Sequence, residues 1–174
     1  QLHKFYSVAQ HSVLVSLEAE SYALLAKFSP RFAGAVGMAG LLHDGPEGLG
    51  FRDLPTPVKR FLPEYQAAEQ NMLRLLILTY MKTYIRNPEP AGELYKWVSV
   101  ERHAGIEVSE MVLCNYVHHA DVAVLAAERR DLRPDQVVFD NPFDLNSSLT
   151  NPIIPLSPSD AREEWLKRYY RLKT

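Results

Sequence analysis

A few residues of this 174-residue chain stand where helical patterning leaves them awkward. His11 lies at the centre of an arc made by Val8, Leu14, Val15, Tyr22 and Leu25, all apolar or aromatic. His43 and Asp44 close an otherwise apolar helical run. Asp121 falls in the middle of a face that also carries Met111, Cys114, His118, Val122 and Leu125. Burying a carboxylate without a partner costs on the order of several kcal/mol, so Asp121 must meet a cation or several donors. Adjacent helical positions point about 100° apart, so His43 and Asp44 converge on one target only near a helix end, which Gly45 and Pro46 provide. Two imidazoles and two carboxylates suit a divalent transition metal such as Zn, Mn, Fe, Co or Ni, with positions left open for water. Taken singly, each has a plainer reading: His11 as a satisfied core histidine, Asp121 as one half of a salt bridge to an arginine. The ordered set says more than any member.

The elements that must position these residues read as helical nearly throughout. Ser7-Val8-Ala9-Gln10 has capping-box form, with Gln10 reaching back, and predicts a helix to about Lys27. Ser29-Pro30 predicts a second start, and that helix should end near Asp44 with Gly45 just past it. Residues 46–62, with Pro46, Pro55 and Pro57, read as turns and one short helix. A long helix is expected from Glu64 to Tyr84, broken by Asn87-Pro88-Glu89-Pro90-Ala91-Gly92. A shorter helical stretch covers Glu93–His103, and Ser109 opens another strong helix to about Arg130. Residues 140–155 form a long Pro/Asn/Ser-rich connection of the kind that is lid-like or mobile. Ser157-Pro158-Ser159-Asp160 caps a closing helix to about Lys173. Val137-Val138-Phe139 is a weak β segment, and no repeat or period-2 pattern appears. The expectation is one all-α domain over residues 1–174.

The order His … His-Asp … Asp on successive helices resembles the HD-domain metal-dependent phosphohydrolase superfamily. Tyr6-Ser7-Val8-Ala9-Gln10-His11-Ser12 is similar to its first-histidine segment, and Leu41-Leu42-His43-Asp44-Gly45-Pro46-Glu47 to its His-Asp segment with a trailing glutamate. Asp53-Leu54-Pro55-Thr56-Pro57-Val58-Lys59 resembles the turn that follows in the nucleotide 5′-phosphohydrolase branch. His118-His119-Ala120-Asp121, running on to Arg130-Asp131-Leu132, resembles the last metal-ligand helix, and Ile154-Pro155-Leu156-Ser157-Pro158 the closing segment. The resemblance spans nearly the whole chain. It implies a helical bundle with a metal site between helices, held by His11, His43, Asp44 and Asp121. The implied cofactor is one tightly bound divalent ion (Zn, Mn, Co, Fe, Ni or Mg), with a second possible alongside substrate. It implies Glu47 as the acid/base residue that positions the attacking water, and Asp53 as a catalytic or specificity residue near the sugar or the attacked phosphate. Lys59 is the expected phosphate-binding cation, with Arg52 and Arg60 behind it; His3 and Lys4 would face the same pocket. The implied reaction is hydrolysis of a (deoxy)nucleotide at its 5′-phosphate ester, releasing nucleoside plus phosphate or triphosphate, and branch members include viral ones that deplete dATP. An Arg-Trp-type segment that contacts phosphate and base is expected upstream of Gln1, and residues 64–100 lengthen the interval between His43 and Asp121.

Composition narrows the alternatives. Nineteen basic against 21 acidic side chains give a net charge of −2, which argues against a nucleic-acid backbone binder. The single cysteine excludes an intramolecular disulfide framework and a Cys-rich zinc module. Gly40, Gly45, Gly48 and Gly50 are not a phosphate loop, because no strand precedes them and the Walker lysine is missing. No apolar run approaches the roughly 20 residues of a membrane span. The expected setting is the cytoplasm (a host's, if the chain is viral), as a homo-oligomer acting on a small nucleotide. Rival readings are a catalytically silent nucleotide-sensing module and a di-iron oxygenase of the same fold, for which His103, His118 and His119 would have to supply further ligands. Trp97, Tyr95 and Trp165 read as core rather than subunit contact.

Overall fold

The serine start signals at Ser7, Ser29 and Ser157 operate in the computed structural model, which describes residues 5–51, 54, 56–85, 116–132 and 149–173. Ser7 Oγ accepts the Gln10 N–H at 3.2 Å and opens α1, Val8–Leu25. Ser29 Oγ accepts the Phe32 N–H at 3.2 Å and opens α2, Pro30–Leu42, with Pro30 where a helix needs no N–H. Two short helices follow, α3 (Gly45–Gly48) and α4 (Thr56–Lys59), then α5 (Pro63–Ile85), α6 (His118–Leu132) and α7 (Pro158–Lys173). Ser157 caps α7, accepting the Asp160 N–H at 3.2 Å. No strand occurs among the described residues, and the fold is all-α. No described helix is long and apolar enough to cross a membrane. The break at 87–92, the 93–103 stretch, the expected start at Ser109 and the weak β segment at 137–139 lie outside the described residues.

The two helix ends that frame α2 differ in kind. α1 closes with the Lys27 N–H on the Leu24 carbonyl at 2.9 Å and the Phe28 N–H on the Ala23 carbonyl at 3.1 Å. This is a Schellman end, and Lys27 occupies its left-handed position at φ 64°, where glycine is usual. Gly45 was expected to play that part after α2. Instead α2 stops at Leu42, Asp44 stands at the N-cap position of α3, and Gly45 is the first residue of α3. Its lack of a side chain serves packing: a Cβ there would lie 2.8 Å from Leu76 Cδ1 on α5.

α1 packs against α2, α6 and α7. Its buried stripe is Val15, Ala19 and Ala23, meeting Phe32, Ala33, Val36 and Ala39 of α2, Val117 just before α6, and Ala120 and Val124 of α6. So many alanines bring helix backbones close together. At the α1–α2 crossing a Cβ on Gly40 would sit 3.1 Å from both Ser16 Cα and the Val15 carbonyl. That close crossing fixes where the end of α2 arrives relative to His11. Val8 and Leu25, expected inside, are 51% and 76% exposed. On α6 the buried face is Ala120, Ala123, Val124 and Ala127, so Leu125 is displaced to the surface and Asp121 stands at the face's edge. Large side chains lose to small ones here because the inter-helix gap is narrow.

α7 is fastened by a buried arginine. Arg168 donates through Nε to Ser16 Oγ at 2.8 Å and through Nη2 to the Ser16 carbonyl at 3.1 Å, and Nη2 also meets the Glu20 carboxylate. Ser16 Oγ in turn donates to the Gly37 carbonyl at 2.6 Å, so one hydroxyl ties three helices. Beside it, Met38, Leu41 and Leu172 form an apolar cluster against which Trp165 and Tyr169 pack, placing Trp165 partly in the core as expected. Fully burying a side chain such as Met38 contributes roughly 1.5–3 kcal/mol.

The described part of the expected lid is tied down. Arg130 Nη1 donates to the Leu149 carbonyl at 2.9 Å, and Asp131 Oδ2 accepts the Ile153 N–H at 2.8 Å. Gln10 does not reach back to its own cap. Its amide donates to the Ile154 carbonyl and accepts the Leu156 N–H, each at 2.9 Å, as a neighbouring strand would.

Candidate metal centre

α1 brings His11, the α2–α3 joint brings His43 and Asp44, and the first turn of α6 brings Asp121. All four expected ligands meet. His11 Nε2 lies 3.2 Å from Asp121 Oδ1 and 3.7 Å from Asp44 Oδ2. His43 Nε2 lies 3.2 Å from Asp44 Oδ1 and 3.9 Å from Asp121 Oδ1. Ligand atoms of His11, His43 and Asp121 fall within 4.8 Å of one another. The imidazole centroids are 5.3 Å apart.

The contacts of the two ring Nδ1 atoms constrain the tautomers at this site. His43 Nδ1 is 2.7 Å from the Gly40 carbonyl, which can only accept, so the proton is on Nδ1 and a neutral ring turns a lone pair on Nε2 toward the carboxylates. His11 Nδ1 is 2.6 Å from Glu128 Oε1, again an acceptor when ionised. In their neutral forms both rings would therefore present lone pairs to two carboxylates. Four acceptors facing one another repel unless a proton or a cation stands among them, and this donor set fits a divalent metal ion.

Without such an ion, a proton does the same work. Burial pushes the His11 pKa down, but hydrogen bonds to Asp121 and Glu128 and the charges of Glu128 and Asp44 outweigh it and raise it to about 10. Burial likewise raises the Asp121 carboxyl. The hydrogen bond from His11, with the charges of His43, His11 and His118, wins and holds it below the ordinary carboxylate range. The Tyr6 phenol is pushed upward by its own burial, by its hydrogen bond to Glu128 and by that carboxylate's charge.

A cleft of about 830 Å³ opens beside the centre. Ser12, Asp44, Glu47, Phe51, Arg162 and Trp165 are among its lining residues, and apolar side chains make up most of its wall. Glu47, carried on α3 one turn past Asp44, shares this cavity with Asp44. Lys59 is held elsewhere: its ammonium is 2.8 Å from Glu69 Oε1, and it does not line this cleft. Asp53, His3, Lys4, Arg52 and His103 lie outside the described residues. His118 and His119 are exposed, with ring centroids 6.4 Å apart.

Sequence reading passed over Glu128 and Arg162. Glu128 is two helical turns beyond Asp121, so helical spacing from that residue would have found it. Arg162, one turn before Trp165 on α7, carried no local signal.

No family model matches the chain, and no solved structure matches it. Among curated proteins it is similar to the uncharacterized protein YfdR of Escherichia coli (strain K12), with 28% identity over 170 residues, spanning 97% of this chain and 72% of that protein.

Proposed function

We propose that this chain is a metal-dependent phosphoric ester hydrolase of the HD-domain type, cleaving (deoxy)nucleotides at the 5′-phosphate ester. The observation that carries this reading is the convergence of four acceptors, His11 Nε2, His43 Nε2 and carboxylate oxygens of Asp44 and Asp121, with the Nδ1 protons of both rings committed elsewhere. The order of these ligands along the chain is that of the HD superfamily.

A divalent ion held by His11, His43, Asp44 and Asp121 would neutralise phosphate charge and make water acidic near neutral pH. Glu47 accepts a proton from the attacking water at its carboxylate, a contribution typically worth about 10²–10⁴-fold. Water oxygen attacks phosphorus, the bond to the 5′ oxygen breaks, and that oxygen leaves with a proton. The cleft walls exclude water from the organic part of the substrate: Phe51 and Trp165 suit a flat ring, and Arg162 supplies a cation on the same wall.

A phosphate-release screen tests the reading. Deoxy- and ribonucleoside mono- and triphosphates are offered with Mn, Co, Zn or Mg, and the product is identified as phosphate or triphosphate. Metal-dependent release from a nucleotide, abolished by chelator, is the expected result. Absence of turnover across the whole matrix, from protein shown to bind metal, refutes it.

A further inference from the structure

One carboxylate near the centre touches a ligand and not the converging acceptors. Glu128 Oε1 lies 2.6 Å from His11 Nδ1 and 2.6 Å from the Tyr6 hydroxyl, with its side chain only 16% exposed. An ionised carboxylate has no proton to give, so both neighbours donate to it. The hydrogen bond from His11 keeps the ring's proton on Nδ1 and leaves the Nε2 lone pair aimed at Asp121 and Asp44. A ring free to choose its tautomer would place the proton on Nε2 for part of its population, where a metal must bind. Glu128 is rigidly related to the ligand Asp121, two turns away on α6 and roughly 10 Å along its axis. Tyr6, immediately before the Ser7 cap of α1, holds the same oxygen from the other side.

We propose that Glu128, steadied by Tyr6, is a positioning residue that sets the tautomer and aim of His11 for a divalent ion. The inference rests on the metal reading above. Such outer partners of a ligating histidine are typically worth about 10–100-fold in metal affinity.

The test uses the full chain and Co²⁺ alone as the probe. Wild type should bind Co²⁺ and show two strongly shifted, exchangeable ring N–H resonances, from His11 and His43, that vanish in D₂O. In Glu128→Ala the Co²⁺ affinity should fall about 10–100-fold, and one resonance should be lost to solvent exchange. The other should stay, since the Gly40 carbonyl still holds His43. Glu128→Gln keeps the volume and an acceptor oxygen and should recover the resonance and most of the affinity. Tyr6→Phe adds no buried charge and should broaden the same resonance while weakening Co²⁺ a few-fold. Wild-type affinity with both resonances intact in Glu128→Ala, or in Tyr6→Phe should Glu128→Ala fail to fold, overturns the positioning role alone. Failure of wild type to bind Co²⁺ overturns the metal reading, and this inference with it.

Discussion

In the metal-free protein, the stability that His11 confers should drain away as pH rises. Three carboxylates surround one imidazole, with Glu128 at 2.6 Å, Asp121 at 3.2 Å and Asp44 at 3.7 Å, and together they raise its pKa from 6.5 to about 10 against the cost of burial. Below 6.5 the ring is protonated whether the chain is folded or not, and its contribution is complete. Between 6.5 and about 10 only the folded chain keeps the proton, so stability falls by about 1.4 kcal/mol per pH unit. Across the whole window the loss is of order 5 kcal/mol. Urea denaturation followed by circular dichroism, with chelator present, would measure it for wild type and His11→Gln from near pH 6 to near pH 9. Subtracting the variant removes the other titrating groups. The difference should shrink steadily with pH, and saturating Mn²⁺ or Co²⁺ should flatten the wild-type curve because the ion takes the proton's place. A wild-type-minus-variant difference that stayed constant across this range would refute the acceptor-only description of the centre.

Other outcomes follow from single contacts. On the proposed function, Asp121→Ala should abolish metal binding and hydrolysis together, whereas Glu47→Ala should keep metal by titration calorimetry yet lose about 10²–10⁴-fold in turnover; wild-type turnover in Glu47→Ala would remove Glu47 from the proposed mechanism. Arg168→Ala should destabilise the fold by about 3–5 kcal/mol in urea, because Glu20 is left without its partner beside an unmatched Ser16 carbonyl. Lys27→Gly should raise stability by about 1 kcal/mol, read as a higher urea midpoint, by relieving the left-handed backbone at φ 64°.

Much of this architecture could be read from the chain because its cues are local. Ser7, Ser29 and Ser157 announce their helices, and each accepts the amide hydrogen that such a cap requires. The four residues that gather at the centre were legible too, since an imidazole or carboxylate on an apolar stretch is conspicuous without knowledge of the fold. Gln10 was misread because its partners, Ile154 and Leu156, are remote in sequence and together satisfy both ends of its amide. Lys59 looked like a phosphate ligand until the turn between α4 and α5 brought Glu69 to it. The buried face of α6 was placed slightly off because hydrophobicity ranks Leu125 above Ala120 and Ala127, whereas a narrow gap between helices selects for size. Glu128 was passed over because its partners, Tyr6 and His11, are remote in sequence.

The bonds from Gln10 to Ile154 and Leu156 give the molecule a load path. A pull on the segment just before α7 passes into the side chain of Gln10, whereas Arg168 takes a pull on α7 itself into Ser16 and Glu20. The residue after Gln10 is His11. Tension on residues 154–156 is thus delivered one residue from His11, through two hydrogen bonds loaded side by side. A load on that segment would therefore bear on the centre mechanically, although none of its residues belongs to it.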